Sequence, residues 1–257
     1  MNKIKIAFFD VDGTLVEKRK PISSKIVETL KRLKENGTMI CISSGRSPKQ
    51  IPKLDVKFDA LITFNGSYCF NEKETILNTP LKKQDMELVV KNAKKINRPV
   101  AVATKDRIAA NGMDEDLKEY FAFGGTTPAI AEDFDQIMGK QTVYQMMVSC
   151  RKADYDTLMQ GVKGAKITAW WDRAVDIIPT SGSKGVAIKK VLDYYQIPAS
   201  KAIAFGDGSN DIEMLKTVGC GVAMGNATGN VKKIADDICG SVQDDGIYTY
   251  CKEHSLI

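Results

Sequence analysis

Along the chain, short apolar runs rich in β-branched residues alternate with stretches whose apolar positions recur every three or four residues. IKIAFF (4–9), TMICIS (38–43) and ALITF (60–64) predict strands, and SSKIVETLKRLKENG (23–37) predicts a helix between the first two. Ile26, Leu30 and Leu33 share one face of that helix; Ser23 or Ser24 caps its start, and Gly37 suits the left-handed position after its end. SPKQIPKL (47–54) reads as a second helical stretch. Strands separated by helices imply a parallel sheet, because parallel neighbours need a crossover connection.

After Pro80 the pattern changes. A helix over 82–96 precedes VAVAT (100–104) and RIAAN (107–111), which read as a hairpin; DEDLKEYFAF, a GGTTP connector, a strand TVYQMMVSC (142–150) and a helix ADYDTLMQGV (153–162) follow. AKITAWW (165–171) and AVDII (174–178) read as a second hairpin. From Ser183 the first style returns: helix 184–197, strand 201–206, helix 209–218 and strand 220–224. The expected fold is α/β, a Rossmann-like parallel-sheet core (1–80 and 183–257) carrying an inserted α+β domain (81–182).

Composition narrows the chemistry. The six cysteines lie far apart, without C-x-x-C spacing and mostly in apolar segments, as in a reduced cytoplasmic protein. The basic start MNKIKIAFF meets Asp10 too soon for a signal peptide, and no apolar run reaches membrane-spanning length. The net charge of +5 comes from lysines interspersed with acids, so neither nucleic acid nor membrane is an expected partner. His254 is the only histidine, which argues against a Ser-His-Asp triad and imidazole-rich metal sites. Catalysis here is expected to run on carboxylates, lysine, hydroxyls and a hard metal.

Four polar clusters fall where the predicted strands end, the edge at which open α/β sheets bind ligands. In DVDGT (10–14), Asp10 and Asp12 are two apart and so address one side, while Val11 packs. Two carboxylates so placed repel unless a cation sits beside them, and oxygen ligands suit Mg²⁺. ISSGRSP (42–48) offers hydroxyls, a glycine and an arginine to an anion; TSGSKG (180–185) sets Lys184 at a helix start, where backbone N–H groups also favour phosphate. FGDGSND (205–211) places Asp207 and Asp211 around a tight turn. Each alone is also an ordinary turn or cap, but together at one sheet edge they describe a metal-assisted anion site. Neither a P-loop nor a dinucleotide fingerprint occurs, and DGSNDI has isoleucine where a calcium loop needs glycine.

DVDGTL, SSGR, SKG and GDGSND, in this order, resemble the four motifs of the haloacid dehalogenase-like phosphatases. NGSYCF (65–70), GVAMGNA (221–227), AD (235–236) and DDGIY (244–248) are similar to the Cof-type subfamily, whose larger cap is inserted after the third core strand. The resemblance implies a phosphoric monoester hydrolase in which Asp10 is the nucleophile and Asp12 the general acid and base. It implies that Ser44 and Lys184, helped by Asn210, bind the phosphoryl group, with Ser43 a weaker candidate than Ser44. Asp10, the backbone carbonyl of Asp12, and Asp207 are implied ligands of Mg²⁺, with Asp211 in support. Arg46 matches a frequent family residue. Asn65 and Gly66 line the entrance or make a turn; Trp171 and Arg173, in WWDR, either contact substrate or pack within the insert. The implied partner is a small phosphorylated metabolite, a sugar phosphate or phosphorylated cofactor, acted on by a monomer or homodimer. A phosphomutase or phosphotransferase, or a non-catalytic sensor of such a metabolite, shares the same pocket.

Overall fold

In the computed structural model, which describes residues 4–17 and 20–257, strand β1 (Ile6–Phe9) is buried at every position. Met1–Lys3, part of the basic start read above, lie outside the described residues. Ile6 and Phe8 enter one apolar cluster and Ala7 and Phe9 another, as a strand covered on both faces requires. The chain continues through α1 (Ser24–Glu35), β2 (Met39–Ser43), β3 (Ala60–Thr63), β4 (Tyr68–Phe70) and β5 (Thr75–Asn78). It divides into two compact units: Met1–Gly45, Ile51–Leu77 and Ser183–Ile257 form one, Arg46–Gln50 and Asn78–Gly182 the other. The second unit thus starts three residues before the expected boundary at 81 and also takes in the short Arg46–Gln50 segment.

The second unit contains α2 (Lys83–Lys95), β6 (Val100–Ala103), β7 (Ile108–Ala110), α3 (Glu115–Phe123), β8 (Ala129–Ile130), α4 (Phe134–Lys140), β9 (Gln145–Ser149), α5 (Tyr155–Leu158), β10 (Ala165–Thr168) and β11 (Ala174–Pro179). Its sheet has the order β10-β11-β9-β6-β7-β8, with the two expected hairpins antiparallel. Val89, Val100, Val102, Ile137, Met146, Val148, Val175 and Ile177 share its apolar cluster.

In the first unit follow α6 (Lys184–Tyr194), β12 (Ala202–Gly206), α7 (Ile212–Thr217), β13 (Cys220–Ala223), α8 (Gly229–Lys232), β14 (Asp237–Ile238) and α9 (Gly246–Glu253). The sheet order is β14-β13-β12-β1-β2-β3-β4-β5, parallel from β14 to β3, with β4 turning back against β3. Helices α1 and α9 cover one face through Ile26, Leu30, Leu33, Ile247 and Tyr250; α6 and α7 cover the other through Ala187, Ile188, Val191, Met214 and Leu215. Helix α1 keeps its expected punctuation: Ser23 Oγ accepts the Ile26 N–H at 3.2 Å, and Gly37 has φ +79°.

Some expectations fail for local reasons. SPKQIPKL forms only a 3₁₀ turn over Pro48–Gln50, because Pro52 lacks an N–H and drives Ile51 away from the helical region. The helix expected over 153–162 is a 3₁₀ turn followed by the single turn α5. Helix α4 arises within the stretch read only as a connector before β9. Among the described residues no helix is long and apolar enough to cross a membrane.

Leu30 is fully buried between the sheet and α9. Leu30→Ala should destabilise the protein by about 2–5 kcal/mol in a denaturant titration, the cost of lost burial plus an unfilled cavity.

Candidate active site

Strands β1 and β12 lie side by side with Phe9 opposite Phe205, their rings stacked at 5.3 Å, and the Asp10 N–H donates to the Phe205 carbonyl at 3.0 Å. From β1 the chain leaves towards β2 and β3, and only later returns to β12 on the other flank. The loops after β1 and β12 therefore part in opposite directions, opening the crevice where α/β sheets hold ligands. Asp10 follows the first strand and Asp207 the second.

Asp10 continues the alternation of Ile6 and Phe8, the side on which α6 packs. Ser183 caps α6, its Oγ accepting the Val186 N–H at 3.1 Å, and Lys184 is the first helical residue. The Lys184 side chain is fully buried, and Nζ donates to Asp10 Oδ1 and to Asp211 Oδ1, each at 2.6 Å. Asp211 Oδ2 accepts the N–H groups of Asp207 at 3.0 Å and Gly208 at 2.9 Å, which shapes the turn after β12. Thr14 Oγ1 donates to Asp207 Oδ1 at 3.0 Å. Gly13, at φ +86°, is pressed so close that a β-carbon there falls 2.3 Å from Asp207 Oδ2.

Oxygens of Asp10, Asp207 and Asp211 lie within 4.8 Å of one another. Burial, and then the Asp211 carboxylate, push the Asp10 carboxyl well above its ordinary range, against the pull of Lys184. The same two causes push Asp207 up to about 7, eased by the Thr14 hydroxyl. Burial favours the neutral form of Lys184, but Asp10 and Asp211 outweigh it and hold the ammonium above the usual lysine range. One ammonium against three carboxylates leaves the site short of positive charge, and an all-oxygen donor set suits a hard divalent cation such as Mg²⁺.

The remaining candidates divide. Asp12 lies beyond the strand, exposed, while Val11 is buried; β1 ends at Phe9, so strand alternation does not extend to Asp12. Its side chain is not among the three carboxylates that cluster; the resemblance implies metal ligation there by its backbone carbonyl alone. Ser44 is buried at the end of β2, its N–H donating to the Ile62 carbonyl at 2.9 Å. Ser43 Oγ is buried without a hydrogen-bond partner among the described residues.

Phe64 and Asn65 adopt left-handed backbone at φ 51° and 52°, followed by Gly66 at φ +93°. This buried turn joins three of the clusters. Asn65 N–H donates to the Ser44 carbonyl at 3.0 Å, and Asn65 Oδ1 accepts from Asn210 Nδ2 at 3.0 Å. Gly66 passes so near α6 that a β-carbon there falls 2.1 Å from the Ser183 carbonyl oxygen.

Arg46 Nη1 donates to the Gln50 carbonyl at 2.9 Å within its own short segment. In the second unit, Arg173 lies 4.2 Å over the Trp171 ring, with Nη2 2.6 Å from Glu119 Oε2 and Nη1 3.3 Å from Asp116 Oδ1. Trp171 meets Phe123 edge-on at 5.1 Å. Both residues thus pack on α3. Thr14, in the turn after β1, joins the site through a partner 193 positions away that no local pattern announces.

A family model described as haloacid dehalogenase-like hydrolase matches residues 7–250. The chain belongs to the haloacid dehalogenase-like hydrolases. YkrA of Bacillus subtilis (strain 168), which bears the name of a phosphatase, is 29% identical over 255 residues and covers 98% of each chain. The 5-amino-6-(5-phospho-D-ribitylamino)uracil phosphatase YitU of the same organism is 29% identical over 260 residues, 95% of each chain. Among solved structures, the subclass IIB sugar phosphatase BT4131 matches with a TM-score of 0.87 at 28% identity, covering 98% of this chain and 100% of that one. This haloacid dehalogenase-like protein is an enzyme of the phosphoric monoester hydrolase class.

Two outcomes are expected. Lys184→Met leaves two buried carboxylates without their ammonium and should cost about 3–5 kcal/mol, part of which Mg²⁺ should restore in melting experiments. Asn65→Ala should be less stable than Asn65→Gly by roughly 1–2 kcal/mol, since both lose the amide but only alanine resists the left-handed backbone.

Proposed function

We propose that this enzyme is a Mg²⁺-dependent phosphatase that hydrolyses a small phosphorylated metabolite through covalent phosphorylation of Asp10. The observation that carries the reading is the buried Lys184 ammonium, 2.6 Å from both Asp10 and Asp211, beside an Asp207 carboxylate close enough to share a cation with them. Hydrolysis of phosphate monoesters is among the slowest uncatalysed reactions, so neutralising charge on the phosphoryl oxygens is the largest task.

Asp10 attacks phosphorus in line, forming the carboxylate O–P bond as the P–O bond to the leaving group breaks. Asp12, exposed and so open to an incoming ester, gives its proton to the departing oxygen. It then takes a proton from water, whose oxygen attacks phosphorus and returns Asp10 to the free carboxylate. Lys184 is held charged by Asp10 and Asp211 before the ester arrives, and by Asp211 and the phosphoryl oxygens while Asp10 carries the phosphoryl group. Ser44 and Asn210 hold phosphoryl oxygens, and the start of α6 adds N–H groups oriented towards negative charge. Asp10, Asp207 and the Asp12 carbonyl would hold Mg²⁺, which would supply positive charge to the phosphoryl oxygens; Asp211, with both oxygens already hydrogen-bonded, orients the loop.

For the leaving group, the named relatives support the class of small metabolites: a phosphorylated ribitylaminouracil for YitU and a sugar phosphate for BT4131. A cytoplasmic location agrees with six free cysteines, five of them buried.

Asp10→Asn should lower turnover by about 10⁴-fold or more while leaving the circular dichroism spectrum unchanged. Rapid acid quenching in single turnover should trap the phosphoryl group on the enzyme in a hydroxylamine-sensitive linkage, and in heavy-oxygen water the label should enter released phosphate; no trapped phosphoryl group contradicts the Asp10 intermediate, and label in the Asp10 carboxylate contradicts attack of water on phosphorus. Chelation of divalent ions should abolish phosphate release, and Mg²⁺ should restore it; undiminished release contradicts the metal reading.

A further inference from the structure

Asn226 stands in GVAMGNA, a stretch that the proposed chemistry leaves unused. Strand β13 runs beside β12, Ala223 opposite Gly206, and the Met224 N–H donates to the Gly206 carbonyl at 3.0 Å. The residues after β13 are thereby carried alongside the loop that holds Asp207. The Gly225 N–H donates to the Gly240 carbonyl at 3.0 Å, and a β-carbon on Gly225 would lie 2.7 Å from the Ser241 nitrogen. The backbone at 225 is thus pressed against segment 240–241, which fixes where the next side chain starts.

Asn226 uses both ends of its amide. Oδ1 accepts the Val242 N–H at 2.9 Å; Nδ2 donates to the Gly13 carbonyl at 2.8 Å and reaches Asp207 Oδ2 at 3.4 Å. The reversed amide is unfavourable, since it sets the oxygen against a carbonyl and a carboxylate and the NH₂ against an N–H. Val242 in turn lies in a loop anchored by Ser241 Oγ on Asp244 Oδ2 at 2.6 Å and by Ser23 Oγ on Asp245 Oδ1 at 2.5 Å. DDGIY therefore lies in the support that aims Asn226.

We infer that Asn226 is a positioning residue for the Asp207 carboxylate and the Gly13 loop, clamping the fourth-motif acid and the first-motif loop in the geometry that receives the divalent cation. Asp207 then has a neutral donor on each oxygen, Thr14 on Oδ1 and Asn226 on Oδ2. Neutral donors orient a carboxylate without cancelling its charge, which is what a ligand to a cation needs. The same Asn226 hydrogen bond to Gly13 restrains the residue next to Asp12. The inference rests on the reading of Asp207 as a metal ligand. An amide that only tied surface loops together would leave metal affinity untouched.

The test is direct binding of Mn²⁺, followed by electron paramagnetic resonance, to the wild-type chain, Asn226→Ala, Thr14→Val and the double variant. Asn226→Ala should bind Mn²⁺ about tenfold more weakly with a closely similar melting temperature, as expected for a residue that orients a ligand. Its effect should not add to that of Thr14→Val, since both residues hold one carboxylate. A wild type that binds Mn²⁺ alongside an Asn226→Ala affinity within about twofold of it overturns the clamp. A wild type that binds no Mn²⁺ overturns the underlying metal reading and the clamp with it. If Asn226→Ala does not fold, the wild-type chain still decides: the Asn226 side-chain amide resonance should move with Mg²⁺ at the midpoint of binding, and a resonance that stays put at saturation overturns the inference.

Discussion

A single buried ammonium held between two carboxylates organises the first unit. Lys184 can be charged there only because Asp10 and Asp211 both face it at 2.6 Å, and those carboxylates tolerate burial only because Lys184 is charged. The three residues come from the ends of three elements distant in sequence. Asp10 follows β1, Lys184 opens α6, and Asp211 closes the turn after β12. Removing Lys184 leaves two carboxylates in a low-dielectric place without compensation, whereas removing either acid leaves the ammonium paired with the other. With Asp207 added, the acids outnumber the cation, so the cluster has the charge and oxygen donors to hold a hard metal rather than closing as a finished ion pair.

The sheet topology sets this meeting. Departing towards β2 after β1 and returning at β12 places Asp10 and Asp207 on adjacent strands, with Phe9 stacked on Phe205 beneath them. Those rings fill the layer below the polar edge, so the two loops start from a fixed base. The turn at Phe64–Gly66 performs a related task on the other flank. Two non-glycine residues in left-handed backbone are costly, and they persist here because Ser44, Ser183 and Asn210 all bear on the same turn.

Much of this was legible in the sequence where a local rule determines the outcome. The alternating strand and helix periods gave the parallel core and the two hairpins of the insert. In α1, cap, buried face and terminal glycine all emerged as read. The acids of the first and fourth motifs were legible as a pair because strand ends are where such residues gather. The failures occur where distant contacts or a breaker decide. Pro52 ended a helix that the polar-apolar pattern alone suggested, while Asp12, exposed beyond the end of β1, still acts through its charge on both Asp10 and Asp207. Thr14 and Asn226 escaped notice because a threonine and an asparagine in loops carry no local sign of the partner they reach; Asn226 meets Gly13 from 213 positions away.

The composition of this buried edge argues for chemistry rather than stability. The face of α6 beyond Lys184 is Ala187, Ile188 and Val191, packed on Phe8 and Ile62, and apolar residues of similar volume at positions 10, 184 and 211 would extend that packing. Such replacements are commonly neutral or stabilising, because desolvating three charges costs more than their mutual attraction in most settings returns. An arrangement held at that disadvantage, with strained backbone beside it and hydrogen-bonded supports on Asp207, is organised around charge that arrives from outside. The proposed cation and phosphoryl group are ligands whose charges would complete it, one supplying what the carboxylates lack and the other what Lys184 and the α6 start attract.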